Sequence, residues 1–141
     1  MEMKLFDEFL ASSDTLRVYK DGRLLFSSKK NMLLPLMEYI DVYANGNNEV
    51  IIFDKIVGNA AALLAVIAHC DEVMSPVGSE AAVRTLDRYG VKHHLLTVVE
   101  QVKQPGGKNC PMEELSVGKE PDSFYRMMKK MLGGGGRTSS K

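Results

Sequence analysis

One segment of this sequence restricts the fold more than any other, because an apolar strand pattern runs directly into a helix pattern with almost no polar face. Residues 49–53, Glu-Val-Ile-Ile-Phe, have the composition of a buried strand, and residues 59–69 form an alanine-rich helix pattern that is apolar on nearly every side. A helix of that kind has to be covered by protein all round. The segment therefore predicts a central strand followed by a buried helix.

Strand and helix patterns continue to alternate after this segment. They comprise a short strand at Val73-Met74, a helix over 80–88 introduced by Pro76, Gly78 and Ser79 and closed by Gly90, and a strand over 91–99. Crossovers between parallel strands are right-handed and commonly contain a helix, so this alternation predicts a parallel sheet with helices on both faces.

The amino-terminal part predicts an antiparallel addition to the same sheet. Residues 2–11 have apolar positions at helical spacing and predict a short amphipathic helix. Two strand patterns flank the turn signal Asp21-Gly22 and predict a β-hairpin over about 16–26. A second helix is expected from about Met32 to Val42, with Asn31 as its N-cap and Pro35 in its first turn.

The pattern becomes irregular after residue 102. A loop is predicted at 104–109, a short helix at 110–115, and a last helix at 120–132. The segment 133–141 is rich in Gly and Ser, a composition typical of disordered tails. The sequence thus predicts a single domain over 1–132 and a disordered tail over 133–141.

Charge and composition argue against several classes of partner. The 18 Lys and Arg residues balance the 18 Asp and Glu residues, so no overall charge favours nucleic acid or an acidic membrane surface. The first ten residues lack the apolar core of a signal peptide, and the longest apolar stretch, 60–68, is far shorter than the ~20 residues that span a bilayer. We expect a cytoplasmic protein that binds neither nucleic acid nor membrane.

The two cysteines, Cys70 and Cys110, are isolated in the sequence. They lack the paired Cys and His spacing of a zinc site, and a cytosolic chain keeps its thiols reduced. We therefore expect two free thiols and no structural metal or cofactor.

Four sequence segments resemble a known family. They are IIFDKIVG with NAAALL at 51–64, the Ser-Pro and Ser-Glu pairs between Ser75 and Glu80, RYGV at 88–91, and CPMEEL at 110–115. From residue 3 to about 132 the chain resembles the small bacterial family DUF1893, or TM1506-like proteins, whose biochemical role is unassigned. The resemblance implies a cytidine deaminase-like fold, which is a three-layer α/β/α sandwich with a five-stranded mixed sheet in the order 2-1-3-4-5.

The chain departs from true deaminases at the positions of their zinc ligands. Those enzymes place a His or Cys with a catalytic Glu at the start of their second helix, and two more Cys at the start of the third. Here the corresponding starts are Lys29-Lys30-Asn31-Met32 and the segment Asp54 to Gly58, which contain neither His nor Cys. We expect no zinc-dependent deamination, since a fold alone does not fix a function.

The segment from Asp54 to Gly58 is the strongest candidate for a ligand site. Ligands of open α/β sheets bind beyond the carboxyl ends of the strands, and helix amides such as those of Asn59 and Ala60 can hold an anion such as phosphate. Lys55 would then neutralise the anion and Asp54 would orient Lys55 or act as a base. In the alternative interpretation, Asp54 only caps the helix and Lys55 is solvated.

Cys110 is the candidate nucleophile. It precedes Pro111 at the expected start of a helix, where the helix dipole lowers the pKa of a thiol, and Met112 and Glu113 would close over the ligand with it. A buried packing role for Cys110 is the alternative.

Ser75 and Ser79 complete the candidate set, because they lie at the end of the next strand and either line the same cleft or, for one of them, cap a helix. Together these residues predict a site for a small, phosphate-bearing or nucleotide-like molecule, with metal-independent catalysis as one role. Two alternatives stay open. One is a non-catalytic metabolite-binding or regulatory module, and the other is a structural homo-oligomer, such as a homodimer, built on the apolar helices.

Overall fold

A mixed five-stranded sheet organises the protein, which is described by a computed structural model over residues 2–103, 107 and 110–134. The strand order is β2-β1-β3-β4-β5, with β1 antiparallel to both of its neighbours and β3, β4 and β5 mutually parallel. The elements are α1 (Glu2–Ala11), β1 (Leu16–Lys20), β2 (Arg23–Ser28), α2 (Leu34–Tyr39), β3 (Val50–Asp54), α3 (Asn59–Ile67), β4 (Cys70–Ser79), α4 (Glu80–Arg88), β5 (Lys92–Val99), α5 (Pro111–Ser116) and α6 (Pro121–Gly134). The predicted α/β class and strand order are confirmed.

The two faces of the sheet are covered unequally. On one face lies α1, whose Phe6 and Phe9 pack against Tyr19, Phe53 and Met74 from the three central strands. The opposite face is covered by α2, α3, α4 and α6, with α3 in contact with each of the other three helices. The prediction of a buried helix is confirmed, because every residue from 59 to 65 is buried. The hydrophobic core therefore lies mainly around α3.

Local sequence signals located several element boundaries correctly. Asp21 and Gly22 both have positive φ in the turn between β1 and β2, as expected of a tight hairpin. Helix α4 covers 80–88 as predicted, with the Ser79 hydroxyl accepting a hydrogen bond from the Ala82 N–H at 3.0 Å. Gly90 follows that helix with φ of +73°, which an L side chain rarely adopts.

Strand β4 is much longer than the predicted two residues, because it continues through Pro76 and Gly78 to Ser79. The pairing of β4 with β5 passes over Pro76, which has no N–H to donate, and resumes with Val77 opposite Thr97. The Leu95 side chain of β5 occupies the space beside Gly78, because a Cβ added at Gly78 would lie 2.5 Å from Leu95 Cδ1. Pro76 and Gly78 are turn signals in the sequence, whereas the structure places both residues inside a strand.

The start of α2 also differs from the prediction. Leu33, not Asn31, occupies the N-cap position, and its side chain makes no capping hydrogen bond. Met32 has φ of +62°, so the chain makes a left-handed turn there before the helix begins at Leu34. Pro35 lies in the first turn as predicted, and a π-helical turn over Ile40–Ala44 extends the helix.

The last part of the chain is only partly described. The predicted loop at 104–109 lies outside the described residues except for Gly107. Helix α6 includes residues 133 and 134 of the predicted tail, and 135–141 lie outside the described residues. Among the described helices, none combines the length and apolar character that crossing a membrane requires.

Candidate functional site

The amino terminus of α3 is occupied by a carboxylate of the protein itself. The backbone N–H groups of Asn59 and Ala60 donate to the two Glu113 carboxylate oxygens, Oε2 at 2.6 Å and Oε1 at 3.0 Å. A carboxylate at this position is favoured by both the orphan amides and the helix dipole. An external anion at the two amides predicted to bind phosphate would have to displace Glu113.

Gly58 allows this contact by leaving space beside it. A Cβ at Gly58 would lie 2.6 Å from Glu113 Oε1 and 2.6 Å from Val102 Cγ2, which is too close for either atom to remain in place. Its φ of −93° is ordinary for any residue, so the glycine is needed for space and not for backbone conformation. Gly58, which ends the segment predicted to bind a ligand, thus has a packing role against α5.

Asn59 connects three helices through its buried side-chain amide. Its Nδ2 donates to the Ser116 carbonyl oxygen at 3.2 Å and to Ser116 Oγ at 3.0 Å, while its Oδ1 accepts a hydrogen bond from the Thr85 hydroxyl. Ser116 is fully buried and belongs to α5, and Thr85 belongs to α4. This hydrogen-bond network fixes the positions of α4 and α5 relative to the start of α3.

A cleft of about 650 Å³ opens between α4 and the segment that carries α5. It borders the first residue of α3 and the N-cap residue of α4, at the edge of the sheet where parallel strands end, which is where α/β proteins bind ligands. The lining residues are Asn59, Ser79, Ala81, Arg84, Thr85, Arg88, Glu100, Gln101, Val102, Cys110, Glu113, Glu114, Val117, Gly118, Lys119 and Glu120.

The lining is strongly charged, with both signs present. Arg84 and Arg88 are one helical turn apart on α4 and exposed, and Lys119 is contributed by the segment after α5. Within the described residues, these three cationic side chains form no ion pair. Four carboxylates also line the cleft, and among the contacts of the described residues only that of Glu113 accepts helix amides.

The predicted catalytic pair Asp54 and Lys55 does not line this cleft. Asp54 ends β3, and burial raises its pKa to about 7, although hydrogen bonds from the backbone N–H groups of Ile56 and Lys55 act in the opposite direction. The Lys55 ammonium donates to the Ser12 carbonyl oxygen at 2.9 Å and lies 4.8 Å from the Phe9 ring centroid. Lys55 therefore fastens the carboxyl end of α1 to the sheet.

Lys55→Met is expected to lower the free energy of unfolding by about 1–2 kcal/mol, because it removes a charged hydrogen bond and a cation–π contact but keeps the aliphatic stem. Urea denaturation followed by circular dichroism measures the change. Lys4→Met serves as the control, since Lys4 is exposed on α1 and should tolerate the same replacement within about 0.5 kcal/mol. Equal stability of the two variants would contradict an anchoring role for Lys55.

The two candidate serines have different environments. Ser79 caps α4 and also lines the cleft, so the helix-capping alternative applies to it. Ser75 is fully buried, and its hydroxyl donates to the Val77 carbonyl and accepts from the Val77 N–H. Ser75 does not line the cleft.

Cys110 lines the cleft as the half-buried N-cap residue of α5, and its thiol makes no capping hydrogen bond. Neither Pro111 nor Met112 lines the cleft. Pro111 is exposed in the first turn of α5, and Met112 packs against the main core. Cys70 is different, because burial raises the pKa of its thiol to about 12. Cys110 is the better placed of the two thiols to meet a molecule in the cleft.

Of the candidate residues, the structure brings Asn59, Ser79, Cys110 and Glu113 together in the cleft. The other candidates do not line it, and they are Asp54, Lys55, Gly58, Ala60, Ser75, Pro111 and Met112. Sequence reasoning missed the basic side of the cleft. The signal was present, since Arg84 and Arg88 are four residues apart in a predicted helix and must share one face. Within the described part of the chain, no three His, Cys, Asp or Glu side chains are grouped to hold a metal ion.

Fold and cleft together define a class, namely α/β proteins with a small mixed sheet and a polar cleft at the carboxyl ends of its strands. Residues 6–132 match the family model described as TM1506, domain of unknown function (DUF1893), so the chain belongs to the DUF1893 family. A crystal structure of a DUF1893 family protein, TM1506 from Thermotoga maritima, is 26% identical with a TM-score of 0.80, over 92% of this chain and 86% of that one. None of the curated proteins compared with the chain matches it.

Proposed function

We propose that this protein binds a small phosphate-bearing molecule, of nucleotide type, in the cleft between α4 and α5. The observation that carries the proposal is the pair Arg84 and Arg88, whose guanidinium groups line the cleft without an ion pair among the described residues. Guanidinium groups match the geometry of phosphate oxygens and bind them through paired hydrogen bonds. Lys119 adds a third positive charge from the opposite side of the cleft.

The acidic residues of the cleft narrow the chemistry of the ligand. Glu100, Glu114 and Glu120 present carboxylates that would repel an inorganic polyanion but accept hydrogen bonds from hydroxyl or amino groups. A nucleotide carries both features, with a phosphate for the arginines and ribose hydroxyls or base amino groups for the carboxylates. The cleft volume of about 650 Å³ is within the usual range for small-molecule sites.

The position of the cleft supports the same proposal. It lies at the carboxyl ends of parallel strands, and the cytidine deaminase-like fold proposed for the family is associated with nucleobase chemistry.

A deaminase-type zinc site is not part of the proposal, because the segments that would supply the ligands contain neither His nor Cys. Cys110 would then be the nucleophile of a metal-independent reaction, or else the protein only binds the ligand as a regulatory module.

Binding of AMP, UMP, ADP and ribose 5-phosphate, measured by calorimetry and by the shift in melting temperature, tests the proposal. At least one of these probes should stabilise the protein, and adenosine, which lacks phosphate, should not. In the double variant Arg84→Gln/Arg88→Gln, affinity for that probe should fall by about tenfold or more, since charge-assisted hydrogen bonds are lost. The melting temperature without ligand should stay within about 2 °C, because both arginines are exposed.

Arg126→Gln provides the matched control, because Arg126 is an exposed arginine on α6 that pairs with Asp122 and does not line the cleft. The bound probe should also slow the reaction of Cys110 with iodoacetamide, with Cys70 as the internal reference. Absence of binding by all four probes, or equal binding by the wild type and the double variant, would refute the proposal. Conversion of one of these probes by the wild type would identify the protein as an enzyme. Loss of that conversion in Cys110→Ser would assign Cys110 a role in the reaction.

A further inference from the structure

Positive and negative residues are not mixed evenly in the cleft, because they lie on different segments of the chain. Arg84 and Arg88 are one helical turn apart on α4, and both are exposed. Glu114 on α5 and Glu120 just before α6 are exposed on the other side of the cleft. Among the described lining residues, Lys119 is the one cation that does not lie on α4. The two sides of the cleft therefore differ in charge.

The carboxylates of the cleft differ in what balances their charge. The Glu113 carboxylate accepts hydrogen bonds from two backbone N–H groups at the start of α3, where the helix dipole also favours a negative charge. The other carboxylates that line the cleft form no ion pair within the described residues, and they are those of Glu100, Glu114 and Glu120. Even with Lys119 beside them, they leave a net negative charge in the part of the cleft away from α4.

The charge of the α4 side matches a single phosphate group. A phosphate monoester carries a charge of about −1.5 to −2 at neutral pH, and the guanidinium groups of Arg84 and Arg88 together neutralise it. Each further phosphate of a di- or triphosphate adds negative charge, for which α4 provides no other cation in the cleft. A longer phosphate chain would also bring that charge closer to the carboxylates of Glu114 and Glu120, which repel it.

From this division of charge we infer that the ligand is a nucleoside monophosphate, and that Glu114 and Glu120 determine this specificity by repelling di- and triphosphates. The inference rests on the proposed function, because it places the phosphate group on Arg84 and Arg88. It adds a limit to the number of phosphates, since a cleft with one basic side and one acidic side selects a molecule that is anionic at one end only.

Calorimetry with the series AMP, ADP, ATP and UMP, UDP, UTP tests the inference, in a buffer with EDTA so that no divalent cation neutralises the phosphates. The monophosphate should bind at least about tenfold more tightly than the diphosphate of the same nucleoside, and the triphosphate should bind more weakly again. In Glu114→Gln/Glu120→Gln, affinity for the diphosphate should rise by about fivefold or more, whereas affinity for the monophosphate should stay within about threefold. Glutamine has nearly the size of glutamate, so this variant removes charge without making room.

Asp7→Asn/Glu8→Gln is the matched control, because it removes the same charge from two exposed residues of α1, on the opposite face of the sheet. It should leave the ratio of monophosphate to diphosphate affinity within about twofold of the wild type. Two results would overturn the inference and leave the proposed function standing. They are di- or triphosphates that bind as tightly as the monophosphate, and a preference for the monophosphate that is unchanged in Glu114→Gln/Glu120→Gln. Absence of binding by every nucleotide would refute the proposed function and this inference with it.

Discussion

Glu113→Ala is expected to lower the free energy of unfolding by about 2–3 kcal/mol. The substitution removes the carboxylate that accepts hydrogen bonds from the Asn59 and Ala60 N–H groups, and it leaves both donors at the start of a buried helix without that partner. The favourable interaction between the negative charge and the amino terminus of α3 is lost at the same time. Urea denaturation monitored by circular dichroism gives the measurement.

Glu114→Ala is the matched control, because Glu114 is the exposed neighbour of Glu113 on α5 and makes no side-chain hydrogen bond within the described residues. It should change the free energy of unfolding by less than about 0.5 kcal/mol. A similar small loss in Glu113→Ala would mean that the helix amides find other partners, and the capping role of Glu113 would then be wrong.

Gly58→Ala tests the same contact from the other side. The new methyl group would force the Glu113 carboxylate away from the amides. Part of the loss in free energy of unfolding caused by Gly58→Ala should therefore disappear in a protein that already carries Glu113→Ala. We expect a coupling of about 1 kcal/mol between the two substitutions. The remaining cost belongs to Val102, whose Cγ2 would lie equally close to the added methyl group.

The parts of the fold that sequence reasoning located correctly depend on nearby residues. The hairpin at Asp21-Gly22 and the helix from Ser79 to Gly90 are set by turn and capping residues next to them in the chain. The extension of β4 through Pro76 is not predicted, because it depends on pairing with β5, which lies about twenty residues further along the chain. The start of α2 depends on the left-handed turn at Met32, a conformation that nothing in its side chain favours.

In the candidate site, too, the sequence predicts features that depend on neighbouring residues and does not predict features that depend on distant ones. The sequence indicated that the start of α3 attracts a negative charge, which is correct in chemistry, because helix amides and dipole are local properties. It did not indicate that Glu113, more than fifty residues away, supplies that charge. Likewise, the sequence assigns Lys55 to the ligand, because it does not reveal that Ser12 and Phe9 are the partners of Lys55. Long-range contacts therefore separated the predicted site into a cleft and a distant anchor.

Asn59→Ala is expected to have the largest effect of any single substitution near the cleft, with a loss of about 3 kcal/mol in the free energy of unfolding. It deprives the buried Ser116 of two hydrogen bonds and the Thr85 hydroxyl of its acceptor, at positions that water does not reach easily. Asn48→Ala, in the exposed loop before β3, is the control and should cost less than about 0.5 kcal/mol.

Asn59 also lines the cleft, so stability and binding have to be separated. With the variant kept folded at low temperature, its affinity for a probe that binds the wild type should stay within about threefold, because every polar atom of the Asn59 side chain is already engaged by protein groups. A variant that is as stable as the wild type but has lost binding would reverse this assignment. Asn59 would then hold the ligand, and the contacts among α3, α4 and α5 would depend on packing alone.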